Sequence, residues 1–301
     1  MAFDVSGLSA YVRENNDLLL SKAVLGAETL GVISIQTGVK YQDRIHLLAV
    51  DPTIQAASCA FNPNGNATFT QRTITAPALK VDMNFCPEDM LGKYGEWEVN
   101  HTAGRETLPF EEKLTEEITK KIARKVEDMI WMGSSSLGVS GITEFVGEFV
   151  DWSTGSAVGA SGWSSVTAVS GAYSAILAVY GAIPVEALDN AMIFVGEGTY
   201  RAFIQNLVAA NLYHSDAQYG DRSFPIPGTT TVVKAVPGLN NTKYIIGADP
   251  KNLFWGCDLE NGHEVFDLWY SRDNEQFRLN VKFNGGAQVA FPDQVVVGKV
   301  S

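Results

Sequence analysis

Four histidines, three cysteines and one knot of acids are the side chains in this sequence with the widest chemical reach. Two histidines at i and i+4 on a helix can grip a metal, and a histidine beside a serine or cysteine can activate a nucleophile. His46, His101, His214 and His263 stand isolated, with no HExxH and no paired spacing, so each reads first as a structural or surface residue. Cys59, Cys86 and Cys257 are equally dispersed. An odd count without CxxC spacing argues against a disulfide framework and a structural zinc site, and leaves free thiols suited to a reducing compartment. Asp258, Glu260 and Glu264 flank Asn261-Gly262. That arrangement reads as a solvated turn, with a cation site as the alternative. There is no GxxxxGK[ST], no GxGxxG after a strand and no GxSxG. The sequons at Asn66, Asn100 and Asn240 mean nothing without a secretion signal. The sequence thus nominates no catalytic, cofactor-binding or metal-ligating residue, which moves the expectation from an enzyme towards a chain that builds or binds.

Composition points the same way. The chain has 301 residues, 46% of them hydrophobic and 19% charged. That length supports one large domain or two smaller ones, and the low charge leaves surface for partners to cover. The 22 Lys and Arg face 34 Asp and Glu, a net charge of −12. Wrapping phosphates needs clustered cations. No Lys/Arg cluster of that kind appears, which argues against sequence-specific DNA reading. An acidic balance fits a wall that repels packed nucleic acid. Asp4, Arg13, Glu14 and Asp17 interrupt any signal-peptide core, and no apolar run approaches the ~18 residues of a membrane span. The chain is expected to be cytoplasmic at synthesis, with no membrane partner.

The elements follow from periodicity. Ser6 to Leu25 is patchily helical, with Leu8, Val12, Leu19 and Val24 on one face and Gly26 placed as a C-cap. Asn15-Asn16-Asp17 weakens its middle, so a broken helix and a single rod are both open. Val32 to Ile35 and Ile45 to Val50 read as strands. Asn62-Pro63-Asn64-Gly65-Asn66 is a dense turn signal. The stretch from Ala67 to Phe85 reads as two strands bent at Ala76-Pro77, a polar ribbon with only Phe69 and Ile74 as large apolar residues in its first arm. A lone ribbon is marginal in water, so it must lie on something. A neighbouring subunit is the sharper reading and an ordinary surface hairpin the alternative.

Pro109 to Trp131 is the clearest helix. Proline suits its first turn, and Glu116 and Glu117 precede Lys120 and Lys121 by four. Phe110, Leu114, Ile118, Ile122, Val126 and Ile130 recur at every fourth place. Four residues turn about 400°, so the stripe drifts about 40° per step and the two ends of the ~34 Å rod face different neighbours. Gly133 to Ser165 is rich in Gly and Ser around an apolar stretch, and marks a boundary. A helix capped by Ser164 or Ser165 and running to Tyr180, a strand at Ala191 to Val195 and a helix from Thr199 to Asn211 make a compact α+β unit. The tail is strand-rich: Thr230 to Val236, Lys243 to Gly247, Val265 to Tyr270, the alternating Phe277 to Phe283, and Gln294 to Val297. Asn284-Gly285-Gly286 reads as a hairpin turn or bulge.

This order resembles the tailed-phage major capsid protein family, which has the Hong Kong 97-type α+β fold. The segment from Phe277 to Val300 carries the resemblance best: a strand to Phe283, an apolar run from Val289 to Phe291, Pro292, and a last strand from Val295 to Val297 ending at Gly298. Ala191 to Leu212 is similar to the family's strand and helix of the axial domain. The resemblance implies an N-terminal arm with the first peripheral strands (1–50), an extended β-hairpin loop (51–108), a peripheral domain with a long spine helix (109–163), an axial domain (164–264) and closing peripheral strands (265–301). It implies a major capsid protein that assembles through pentamers and hexamers into an icosahedral shell around phage DNA, without specific DNA binding. The partners implied are copies of itself, with separate scaffolding, portal and decoration proteins. Its place would be the virion, after assembly in the host bacterial cytoplasm. An encapsulin-type nanocompartment shell and an uncharacterised ligand-binding protein are the alternatives.

Overall fold

The computed structural model describes residues 11–57, 59, 64–86, 96, 99, 110–210, 222–258 and 265–301. The arm is a broken helix: residues 11–14 are helical, Asn15 interrupts, and α1 runs Asn16–Leu25. Asn15 turns its side-chain amide onto the Tyr11 carbonyl, so the polar stretch does break the rod. Strands β1 (Ser34–Gln36), β2 (Gln42–Asp51), β3 (Asn66–Thr75) and β4 (Ala78–Phe85) follow. The spine helix α2 spans Phe110–Met132. Short strands β5 (Val150–Asp151) and β6 (Ala168–Val169) lead to α3 (Ala172–Ala182) and the single turn α4 (Val185–Leu188). Then come β7 (Met192–Val195), α5 (Glu197–Ala209), β8 (Ser223–Pro225), β9 (Val232–Ala235), β10 (Tyr244–Ala248) and β11 (Leu253–Gly256). The chain closes with β12 (Val265–Ser271), β13 (Gln276–Asn284), β14 (Gly286–Val289) and β15 (Val296–Val300).

One large sheet runs β5-β15-β10-β7-β9-β8, with β6 also on β15. Its residues alternate between two cores, as a strand buried on both faces must. Ile193, Val195, Val233, Ile245 and Val296 pack under α3 and α5. Phe194, Ile246 and Val297 point the other way into the main core, which also holds α1 and α2. The remaining sheets are β12-β13-β4, β1-β11-β14 and the β2-β3 pair. The winding stripe of α2 works as its drift requires. Ile118 and Ile122 lie beside Val81, Met83 and Phe283, whereas Trp131 packs on Phe194 of the large sheet with ring centroids 5.0 Å apart. The side chain of Phe110 and residue Leu8 lie outside the described residues.

Several expectations need correction. The two arms of the ribbon do not pair with each other. β3 pairs with β2 from Gln42↔Thr75 to Asp51↔Asn66, and β4 pairs with β13. Ala76-Pro77 is the crossing between two sheets, where the Ala76 amide donates to Tyr41 and the Pro77 carbonyl accepts from Gly285. The turn signal at 62–66 belongs to the true hairpin connection, part of which lies outside the described residues. Asn284-Gly285-Gly286 is likewise a corner and not a hairpin, because β14 leaves β13 and pairs with β11. Gly26 is the C-cap of α1 as expected, though in right-handed and not left-handed form (φ −75°), and an added Cβ there would clash with the Lys22 carbonyl oxygen and lie 3.2 Å from Ala123 Cβ of α2. Neither Ser164 nor Ser165 caps α3, whose N-cap is Gly171: Ser164 donates to the Ser161 carbonyl at 2.6 Å, and residues 168–169 first pair with β15. On α3 the inward face is Ala172, Ala175, Ile176 and Val179, with Leu177 on the outside.

Two measurements check this packing. Ile122 is 5% exposed inside the main core. A buried unpaired carboxylate is strongly disfavoured, so Ile122→Asp is expected to abolish cooperative thermal unfolding; wild-type-like melting would show that the buried face of α2 is wrong. Asp151 ends β5. Burial alone would raise its pKa, but hydrogen bonds from the Ser153 hydroxyl and the amides of Thr167, Ser153 and Thr154 outweigh it and hold the carboxyl below its ordinary value. A lowered folded pKa stabilises above the unfolded value near ~4 and is lost as pH falls through the folded value. Asp151→Asn is therefore expected to cost about 1–3 kcal/mol at neutral pH, and to flatten the acid limb of a stability-versus-pH curve.

Candidate assembly surface

The residues nominated for chemistry stay apart. His46 is exposed on β2, while His101, His214 and His263 lie outside the described residues. Cys59 is exposed, Cys86 half-buried and Cys257 buried, and none of the three is in a disulfide. Asp258 is buried with one carboxylate oxygen unpartnered, but Glu260 and Glu264 lie outside the described residues. Among the described residues no group of three or more His, Cys, Asp or Glu side chains is placed to hold a metal. No helix among them is long and apolar enough to cross a membrane.

What the fold builds instead is surface. The β2-β3 hairpin is anchored at its base. There Ile45, Leu47 and Ile74 are buried with Val39, Ala76 and Ala290. Arg72 clamps the same base: it pairs with Glu148 at 2.8 Å, reaches Gln288 at 3.4 Å, and lies over the Phe145 ring at 5.8 Å. Beyond this point the large apolar side chains turn outward. Leu48 and Phe69 face each other across the ladder and are 52% and 79% exposed, with Val50 next along the same face at 57%. Alternation accounts for the switch, because Ile45 and Leu47 share one face and Leu48 and Val50 the other. A contiguous apolar face on a projecting hairpin is the mark of a contact surface. A second apolar surface lies on the body. Val81, Met83, Ile118, Ile122, Val126, Met129 and Phe283 line a groove of about 300 Å³ between α2 and the β4-β13 edge.

A third feature joins the arm, the spine and the large sheet. Glu127 of α2 is buried and accepts from the Thr29 amide at 3.0 Å, from the Thr29 hydroxyl, and from Trp131 Nε1 at 3.3 Å. Burial pushes its carboxyl above the ordinary range, and those donors pull part of the way back. Trp131 Nε1 also donates to Thr29 Oγ1 at 2.8 Å. Gly238 presses on this joint so closely that a methyl group there would meet the Trp131 ring and lie 2.5 Å from the Glu127 carbonyl oxygen. Beside the joint opens a groove of about 570 Å³ lined by Lys22, Lys120, Arg124, Arg201 and Arg222 among other residues. Lys120 and Arg124 are four apart on α2, but Lys22, Arg201 and Arg222 come from distant stretches that only the fold brings to them.

Comparison with known proteins bears on the fold. No family model and no curated protein matches the chain. Solved structures do. The capsid of an empty GTA particle aligns with a TM-score of 0.59 at 14% identity, over 93% of this chain and 90% of that one. A chain of the satellite phage P4 procapsid with its size determination (Sid) protein aligns at 0.53 and 10% identity, over 94% and 89%. The virus-like particle from Pyrococcus furiosus aligns at 0.51 and 10% identity, over 96% and 99%. The chain thus has the α+β capsid fold of the Hong Kong 97 type along nearly its whole length.

The joint gives a direct test. Gly238→Ala is expected to lower stability by about 1–3 kcal/mol through overpacking against a buried ring and backbone, read from urea unfolding. An unchanged midpoint would mean that the spine and the large sheet do not meet as closely as described.

Proposed function

We propose that this chain is the wall subunit of a phage shell, a major capsid protein that assembles through pentamers and hexamers around DNA. The observation that carries the reading is the hairpin beyond Arg72: its apolar face, Leu48, Val50 and Phe69, is exposed on the subunit. A feature that is costly to a soluble monomer is useful to a subunit that lies on its neighbour. The alignment with capsid chains supports the same reading. In it, the axial domain (164–264) gathers around the symmetry axes. The peripheral domain (109–163) and closing strands (265–301) tile between them, and the arm (1–50) and extended loop (51–108) supply the β2-β3 hairpin that reaches across. The role is structural and not catalytic. Scaffolding, portal and decoration functions fall to separate proteins, assembly takes place in the bacterial cytoplasm, and the finished protein resides in the virion.

The test removes the free end of the hairpin and keeps its base. β4 must stay, because it is a strand of the β12-β13-β4 sheet. Joining Leu47 to Thr70 through Asn-Gly closes the ladder at a paired position with a two-residue turn. The shortened subunit is expected to melt like the wild type and to form no stable shells in negative-stain micrographs. Shells of normal stability from this variant would contradict the assembly role of the hairpin.

A further inference from the structure

The groove beside the spine gathers cations from separate stretches of a chain whose net charge is −12. Lys22 comes from α1, Lys120 and Arg124 from α2, Arg201 from α5, and Arg222 from just before β8. All of them are exposed. The carboxylates in the same lining are already engaged. Glu116 pairs with Lys120 at 3.0 Å, Glu197 with Arg201 at 3.2 Å, and Arg222 lies 3.5 Å from Glu28 and 3.7 Å from Glu197. Glu127 is held beneath Thr29 and Trp131. Lys22 and Arg124 make no ion pair with a described residue. Lys121 and Lys125 are exposed on the neighbouring side of the spine, at the rim of the apolar groove, and Lys125 lies 3.8 Å from Asp128.

We propose that this groove and the adjoining face of α2 contact the phosphate backbone of the nucleic acid inside the shell, an inference that rests on the shell reading above. Charge complementarity selects the partner. The spine cations form two rows, Lys120 with Arg124 and Lys121 with Lys125, each stepping ~6 Å along a rigid helix. Several cations at fixed spacing suit a polyanion better than a single carboxylate. Arginines at the rim can meet phosphate oxygens in pairs. Their present ion pairs are solvent-exposed and weak, so a phosphate can take them over. Backbone contacts of this kind position nucleic acid without reading its sequence. The acidic remainder of the subunit confines the contact to this one place and keeps it reversible.

The experiment measures fluorescence anisotropy of a short labelled DNA duplex with the full chain, held below its assembly concentration, from low to physiological salt. The wild type is expected to bind at low salt and to weaken steeply as salt rises. The pair Lys22→Glu and Arg124→Glu, which breaks no ion pair among the described residues, is expected to bind about tenfold more weakly and to reduce the salt slope by ~2. The pair Lys40→Glu and Lys251→Glu changes net charge equally at exposed positions outside the groove and is expected to bind as the wild type does. Equal losses in both pairs, undiminished binding by the groove pair, or no binding by the wild type would each overturn the proposal. If the groove pair keeps duplex binding but forms no shells, the groove is a contact between copies and the proposal also falls. Failure of the shell reading looks different: the wild type then forms no shells at any concentration, whatever the duplex does.

Discussion

The structure depends on one close contact, the approach of the spine helix to the turn at Pro237–Leu239. Gly238 leaves no room for a side chain above Trp131 and the Glu127 carbonyl. Around that point Trp131 meets Phe194 of the large sheet, donates to Thr29 of the arm, and through its own carbonyl accepts from Thr143 at 2.8 Å. A single buried tryptophan therefore touches, through its ring and its carbonyl, the arm, the spine, the large sheet and the segment after the spine. Buried hydrogen-bonded groups of this kind are costly to disturb, so the relative placement of these parts is fixed by local chemistry and not by area alone.

That fixed body contrasts with the hairpin. Its base is held by a small apolar cluster and by Arg72, and further along it Leu48, Val50 and Phe69 are exposed. A rigid body with a projecting apolar strand pair is a sound design for a shell. Copies must meet in slightly different environments, and the projecting element absorbs the difference while the core stays constant. Many weak contacts per subunit then add up to a stable wall.

The sequence disclosed its local elements well. The spine was legible from Pro109 to Trp131 because an apolar residue at every fourth place, with acids in the first turn and acid–base pairs four apart, is the pattern of a half-buried helix and of no strand; it runs Phe110–Met132. Strand β13 was legible from the alternation of Phe277, Leu279, Val281 and Phe283. Partners were not legible. Alternation tells which face of a strand is buried and says nothing about which strand lies alongside, so β3 and β4 were joined to each other when each pairs elsewhere. Residues that pair across the fold, such as Ser34 with Phe254, carry no local trace of it. The cation groove was hidden for the same reason, since Lys22, Arg124 and Arg222 become neighbours only after folding.

The central claim is that the intact chain builds closed shells. Mass photometry with negative-stain microscopy over a concentration series, repeated with co-expressed scaffold, tests it most directly. The account predicts pentamers and hexamers at low concentration and hollow shells above it. A chain that persists as a monomer or dimer throughout would contradict it.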